Sequence, residues 1–207
     1  MSGWTGAHAP TLLAFEEAAQ AFVELVGQVR GDWDRPGLGV WDLRSLVGHA
    51  ARALVTVTTY LDTPAATEDL ASPAAYLTGS SAVDPEVVAA RGRQAGADLG
   101  DDPAAWVSAA AERAVARVRA ADPQALLTTV NGGMRLVSYL PTRTFELVVH
   151  GADVAVALGL EPDVPPAALR EAAGLATEVV LAQGRGQDLL LTLTGRADWP
   201  ADLVVIR

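Results

Sequence analysis

The sequence of 207 residues contains no cysteine and no lysine. Without cysteine there is no disulfide framework, no thiolate nucleophile, no cysteine-type zinc finger and no iron–sulfur cluster. Without lysine there is neither a Schiff-base lysine nor the lysine of a phosphate-binding P-loop. Any nucleophile must therefore be an oxygen or histidine side chain, a metal-bound water, or a group brought from outside the chain.

Positive charge is also scarce. All 15 basic residues are arginine, and 25 acidic residues give a formal net charge of −10. Because phosphate binding depends on clustered cations, we expect neither nucleic acid nor an anionic membrane as a partner. No apolar run approaches the roughly 18 residues of a membrane helix, and the first ten residues lack the features of a signal peptide. We therefore expect a cytoplasmic protein, with one domain or one domain and a small appendage.

Apolar residues recur at helical spacing along most of the chain, and hydrophobic residues make up 50% of it. This pattern predicts a mostly all-α protein, a bundle of four or more helices. Asp42 and Ser138 each precede a helical pattern and are predicted helix N-caps. The predicted helices cover residues 10–29, 43–61, 85–99, 103–121, 138–158 and 166–183.

The remaining segments are irregular or extended. Residues 62–85 are rich in Pro, Ser, Thr, Gly and Ala and are predicted to form a long connection that can contain short helical turns; connections of this length often border a binding site. Asn131-Gly132 lies between two short apolar runs and predicts a small β-hairpin or an extended corner. A strand-like run at 203–206 suggests a short α/β appendage at the C-terminus. We therefore expect a helical bundle over residues 1–160 and an appendage over 161–207.

One stripe of the helix predicted over 138–158 is polar. Helical spacing places Arg143, Glu146, His150 and Asp153 on it. Glu146 precedes His150 by four residues, so the two side chains can bind a single ion. A buried ion-pair network and a solvent-exposed face are the alternatives, because this spacing often arises by chance.

A second polar stripe crosses the helix predicted over 43–61. It consists of Ser45, His49, Arg52, Thr56 and Tyr60. A lone histidine in such a helix is more often a core residue than a metal ligand. If the two helices face each other, however, His49 would converge with Glu146 and His150. Two imidazoles and one carboxylate leave open coordination positions, as in a catalytic metal site.

The two segments that carry these stripes resemble a known family. Segment 33–52, WDRPGLGVWDLRSLVGHAAR, is similar to the tryptophan, aspartate, leucine and histidine motif of the mycothiol-dependent maleylpyruvate isomerase family. Segment 143–159, RTFELVVHGADVAVALG, is similar to the second motif of that family, in which Glu, His and Asp recur at these intervals. The family belongs to the DinB-like metal-binding four-helix bundles, so the resemblance implies this fold over roughly residues 10–160.

The resemblance implies that His49, Glu146 and His150 are ligands of a divalent metal, most often zinc in relatives. Asp153 matches the aspartate that follows the second metal histidine, and we expect it to orient His150 rather than to bind the metal. The resemblance also implies mycothiol as a thiol co-substrate. A bound metal lowers the pKa of a thiol, which would supply the nucleophile that the cysteine-free chain lacks.

Two related reactions follow from a metal-bound thiolate and a small-molecule electrophile. Thiol addition, bond rotation and thiol loss would isomerise a maleylpyruvate-type alkene, whereas stopping at the adduct would make the protein a thiol transferase. Arg52 and Arg143 each lie one turn from a predicted ligand. They are predicted to hold a substrate carboxylate or to stabilise developing negative charge, with ion pairs to Asp153 or surface acids as the alternative.

Two other functions remain open. The isomerase carries a larger C-terminal domain, whereas residues 161–207 resemble an abbreviated counterpart, which favours a non-catalytic metal-binding or regulatory module. A metal-dependent hydrolase is the second alternative, although no separate general base stands out. The sequence predicts a monomer or a homodimer without deciding between them.

Overall fold

The computed structural model of the protein describes residues 3–80 and 84–205. These residues form eight α-helices and one two-stranded hairpin, which confirms the mostly all-α fold. The elements are α1 (Ala9–Val26), α2 (Leu43–Leu61), α3 (Pro73–Ser80), α4 (Pro85–Asp98), α5 (Pro103–Ala120), β1 (Leu126–Thr129), β2 (Gly132–Arg135), α6 (Leu136–Ala157), α7 (Pro166–Ala182) and α8 (Gly186–Leu193).

Helices α1, α2, α5 and α6 form a four-helix bundle. Helix α6 packs against both α1 and α2, and α5 packs against the same two helices, so α1 and α2 lie diagonally across the core. Helix α4 covers the outer side of α2, and α7 packs on α1 and α6. The largest fully buried side chains include Phe15, Phe22, Leu46, Leu54 and Tyr139. This arrangement brings α2 and α6 side by side.

The start of α2 is fixed as the sequence predicts. The Asp42 carboxylate accepts a hydrogen bond of 2.7 Å from the backbone N–H of Ser45, which satisfies one of the free donors at the helix N-terminus. Close backbone contact with α4 follows, because a Cβ on Gly48 would collide with the backbone of Gly96. Glycine at both positions therefore allows the two helices to pack at short distance.

The predicted start of α6 at Ser138 is wrong. The helix begins at Leu136, so Ser138 lies within its first turn, and Arg135 occupies the N-cap position without a side-chain hydrogen bond. Backbone bonds replace the cap: Leu136 N–H donates to Ala125 (2.9 Å) and Val137 N–H donates to Pro123 (2.8 Å). Because these bonds already satisfy the first free donors of the helix, no capping side chain is needed.

The predicted hairpin is confirmed. Strands β1 and β2 pair antiparallel, with Leu126 opposite Arg135 and Thr129 opposite Gly132. The connection predicted over residues 62–85 contains a short helix, α3, whose Tyr76 and Leu77 are buried. Burial of these two side chains against the bundle stabilises this Ala- and Pro-rich segment. The composition of the segment does not predict that burial.

The C-terminal appendage is helical rather than α/β over its described residues. Residues 161–205 contain α7 and α8 and no strand, and Ile206 of the predicted strand-like run lies outside the described residues. A strand needs a neighbour for its backbone hydrogen bonds, and this part of the chain offers none. The division into 1–160 and 161–207 stays a prediction. No described helix has the length and apolar character needed to cross a membrane.

Candidate metal centre

Three potential metal ligands meet between α2 and α6. His49 projects from α2, whereas Glu146 and His150 project from successive turns of α6, and one ligand atom from each lies within 4.8 Å of the others. The imidazoles of His49 and His150 are nearly perpendicular, with ring centroids 4.9 Å apart. The two polar stripes therefore face each other as the sequence predicts.

His150 is held by carboxylates on both sides. Its Nδ1–H donates to Asp153 at 3.0 Å, and its Nε2 lies 3.3 Å from a Glu146 oxygen. A hydrogen bond from one imidazole nitrogen to a carboxylate leaves the other nitrogen directed at a metal, an arrangement common in histidine metal sites. Asp153 thus lies where an orienting residue is expected.

His49 is held differently. The indole of Trp41 lies against its ring, with centroids 4.5 Å apart and an angle of 32° between the planes. Its Nδ1 is buried and has no hydrogen-bond partner among the described residues. An unsatisfied buried nitrogen is costly, and a bound cation in this cluster would supply a partner for an imidazole lone pair. Two imidazoles, one carboxylate and this orphaned atom fit a divalent metal.

The charges of the three groups depend on one another. Burial would raise the pKa of Glu146, but its hydrogen bond with His150 and the charge of Arg143 hold the pKa well below its usual range. Burial would lower the pKa of His150, but the hydrogen bonds to Asp153 and Glu146 raise it to about 9. Burial, reinforced by the charge of His150, lowers the pKa of His49 to about 4. Metal binding would therefore displace the proton of His150.

Arg143 is buried one turn before Glu146, with 7% of its surface exposed. Its guanidinium lies over the rings of Tyr139 (4.7 Å) and Tyr76 (5.4 Å). Its Nε donates to Thr142 at 3.1 Å, and its Nη1 is 3.5 Å from the Thr56 hydroxyl. None of the described carboxylates lies within 4.0 Å of it, so the predicted alternative of an ion pair with Asp153 is not observed.

Arg52 follows His49 by one turn of α2 and is partly buried. Its charge contributes to the low pKa of His49, so it lies near the cluster. No described carboxylate forms an ion pair with it. Its role at the site, like that of Arg143, stays a prediction.

Sequence reasoning missed three residues around the centre. Trp41 lies against His49, although it precedes α2 and belongs to neither polar stripe. Tyr139 and Tyr76 contact Arg143, and the Tyr139 hydroxyl donates to Thr56 at 3.0 Å. Tyr139 could have been found by extending the polar stripe of α6 by one turn, four residues before Arg143. Tyr76 carried no such signal, because it lies in the segment predicted as a connection.

Comparison with known proteins identifies the family. A family model described as the mycothiol maleylpyruvate isomerase N-terminal domain matches residues 15–155. That range includes His49, Glu146, His150 and Asp153. No curated protein and no solved structure gives a significant match. Since the match covers more than half of the chain, the protein belongs to the mycothiol maleylpyruvate isomerase N-terminal domain family.

Proposed function

We propose that the protein is a cytoplasmic, zinc-dependent enzyme that adds a low-molecular-weight thiol, mycothiol, to a small electrophile bearing a carboxylate. The observation that carries this proposal is the cluster of His49, Glu146 and His150 within 4.8 Å, one turn from a buried Arg143 that lacks a carboxylate partner among the described residues. Two imidazoles and one carboxylate suit zinc with open positions. The family's name supports mycothiol as the thiol.

The metal-binding residues would hold the ion between α2 and α6. A bound divalent ion lowers the pKa of a thiol and so makes a thiolate available near neutral pH. His150 has to give up its proton on metal binding, and the Asp153 carboxylate keeps its Nδ1–H in place. Glu146 remains a carboxylate and balances part of the positive charge.

In this proposal, Arg143 receives the negative end of the substrate. Its guanidinium has donors beyond those that Thr142 and Thr56 engage, and burial strengthens a charge-assisted hydrogen bond. The phenols beside it stay neutral, because burial raises the pKa of both Tyr76 and Tyr139. A carboxylate or a developing enolate oxygen would therefore meet a cation and neutral hydroxyls rather than phenolates.

The thiol addition conserves atoms and electrons in both versions of the reaction. The thiolate sulfur bonds to one alkene carbon, and the π electron pair moves to a conjugated carbonyl oxygen near Arg143. Rotation about the former alkene bond, now a carbon–carbon single bond, and return of the electron pair expel the thiolate, which gives the isomer. If carbon instead takes up the proton that the thiol released, the thioether adduct remains, which is the product of a transferase.

Metal analysis and turnover assays together test this proposal. We expect about one zinc per chain, and zinc-dependent consumption of mycothiol or isomerisation with a panel of unsaturated carboxylic acids. Arg143→Met should lower kcat/KM by roughly tenfold or more, whereas Arg170→Met, an exposed position on α7, should not. Binding of mycothiol without turnover would favour a non-catalytic module, and thiol-independent ester cleavage would favour a hydrolase.

A further inference from the structure

The two histidines of the candidate centre are oriented by different means. The Nδ1–H of His150 donates to Asp153, whereas no hydrogen bond to a described residue orients the His49 ring. Whichever nitrogen of His49 faces the metal, the other therefore has no orienting partner among the described residues. The contact that restrains the His49 ring is the Trp41 indole, 4.5 Å away between centroids. Packing thus takes the place of the orienting hydrogen bond at His49.

Helix α4 also fixes the indole. The Trp41 Nε1–H donates to the Ala89 carbonyl at 3.0 Å, and the side chain is buried. Gly92 lies against the ring: a Cβ there would be 2.5 Å from both Cε2 and Nε1 of Trp41 and 2.7 Å from Cζ2. Such distances are far inside van der Waals contact, so glycine at position 92 leaves the room that the indole occupies.

We propose that Trp41 is a positioning residue for the metal centre. Seated on Gly92 and tied to Ala89, its indole holds the His49 imidazole in the orientation that metal binding requires. The inference rests on the metal site of the proposed function. It extends the site from α2 and α6 to α4, whose own side chains contribute none of the candidate ligands.

Zinc affinity, measured by competition with a chromophoric chelator, tests this role without any activity assay. Gly92→Ala should push the indole toward His49 and weaken zinc binding about tenfold or more, the range seen when residues that orient ligands are altered. It should also change the visible spectrum of the cobalt-loaded protein. Gly174→Ala is the matched control, because a Cβ on Gly174 of α7 has no neighbour within 4 Å.

A double-mutant cycle separates this effect from general damage to α4. Trp41→Leu removes all the ring atoms that the methyl group introduced by Gly92→Ala would meet. We expect Gly92→Ala to weaken zinc binding in the wild-type background and to have little further effect in the Trp41→Leu background. An equal loss in both backgrounds, or no loss in the wild-type background, would overturn the proposal.

If circular dichroism shows that Gly92→Ala does not fold, Trp41→Leu decides the question. Leucine cannot stack on the imidazole, so zinc affinity should fall several-fold; wild-type affinity in this variant would overturn the proposal. Absence of zinc binding by the wild-type protein would overturn both this inference and the proposed function. Tight wild-type binding that all variants share would overturn the role of Trp41 alone.

Discussion

Two carboxylates in the helical interior, Glu146 and Glu171, have opposite protonation behaviour. Glu146 lies between α2 and α6, and its pKa is held well below the usual range. Glu171 lies on α7, and its pKa is raised to about 7. Burial raises the pKa of both groups, so burial alone does not explain the difference.

The partners of each carboxylate account for the difference. Glu146 has the imidazole of His150 at 3.3 Å and the guanidinium of Arg143 one turn away. For Glu171, only the hydroxyls of Thr144 and Thr11 oppose the rise in pKa that burial causes. Its Oε2 is buried with no hydrogen-bond partner among the described residues. Cationic neighbours therefore keep Glu146 ionised, the form that binding a metal would require, whereas neutral neighbours leave Glu171 partly protonated near neutral pH.

The sharpest test of this comparison replaces each carboxylate by an amide of the same shape. Glu146→Gln removes a charged ligand, and we expect the zinc affinity to fall by more than about a hundredfold, beyond the usual effect of an outer residue. Glu171→Gln should change it by less than about twofold, because this residue lies outside the ligand cluster. Both affinities come from competition with a chromophoric chelator. A similar loss of zinc affinity in both variants would indicate damage to the helical bundle rather than removal of a metal ligand.

A smaller effect is expected at Asp153. Asp153→Asn removes the charge that holds the His150 Nδ1–H while it keeps the size of the side chain. Zinc affinity should fall roughly ten- to a hundredfold, and the pKa of His150 should fall because one of its two carboxylate partners is lost. Chelator competition and NMR titration of His150 measure the two changes. Asp163→Asn, at an exposed position, is the control, and equal affinities for the two variants would contradict the orienting role.

The candidate ligands could be predicted from the sequence because each of them lies on a regular helix. Helical spacing alone placed Glu146 and His150 on one face, and the family resemblance supplied the pairing with His49 that brings α2 next to α6. Asp42 was predictable for the same reason, since a helix cap is a local interaction.

Features that depend on contacts between distant segments were not predictable. Tyr76 reaches Arg143 because α3 packs against α6, and nothing within residues 62–85 indicates that contact. Glu171 differs from Glu178, the exposed acid of α7, through its burial against α1 and α6. The contact between Trp41 and Gly92 depends on the packing of α2 against α4, and helical spacing in the sequence does not predict how two helices pack. Local pattern therefore predicted the candidate ligands, whereas tertiary packing determines their surroundings.

The pH dependence of the free energy of unfolding tests the raised pKa of Glu171, the second carboxylate of the comparison. The pKa of Glu171 is about 7 in the folded protein and 4.5 ordinarily. Between these values the folded state holds more protons than the unfolded state, so the free energy of unfolding falls as pH rises through this window. A pKa shift of this size would lower the free energy of unfolding by roughly 3 kcal/mol if the group were fully buried. We expect about 1 to 2 kcal/mol because Glu171 is only partly buried.

The measurement is urea unfolding at pH 4.5 and at pH 7.5 in the presence of a chelator, with Glu171→Gln as the reference. The glutamine variant cannot ionise at this position, so subtracting its pH dependence removes the contributions of His150 and the other titrating groups. The wild type should lose stability relative to this variant as pH rises. The prediction is wrong if the difference in free energy of unfolding between the two proteins stays constant with pH, or if the wild type gains stability. Glu171 would then not be the carboxyl that holds a proton, and it would not differ from Glu146 in this respect.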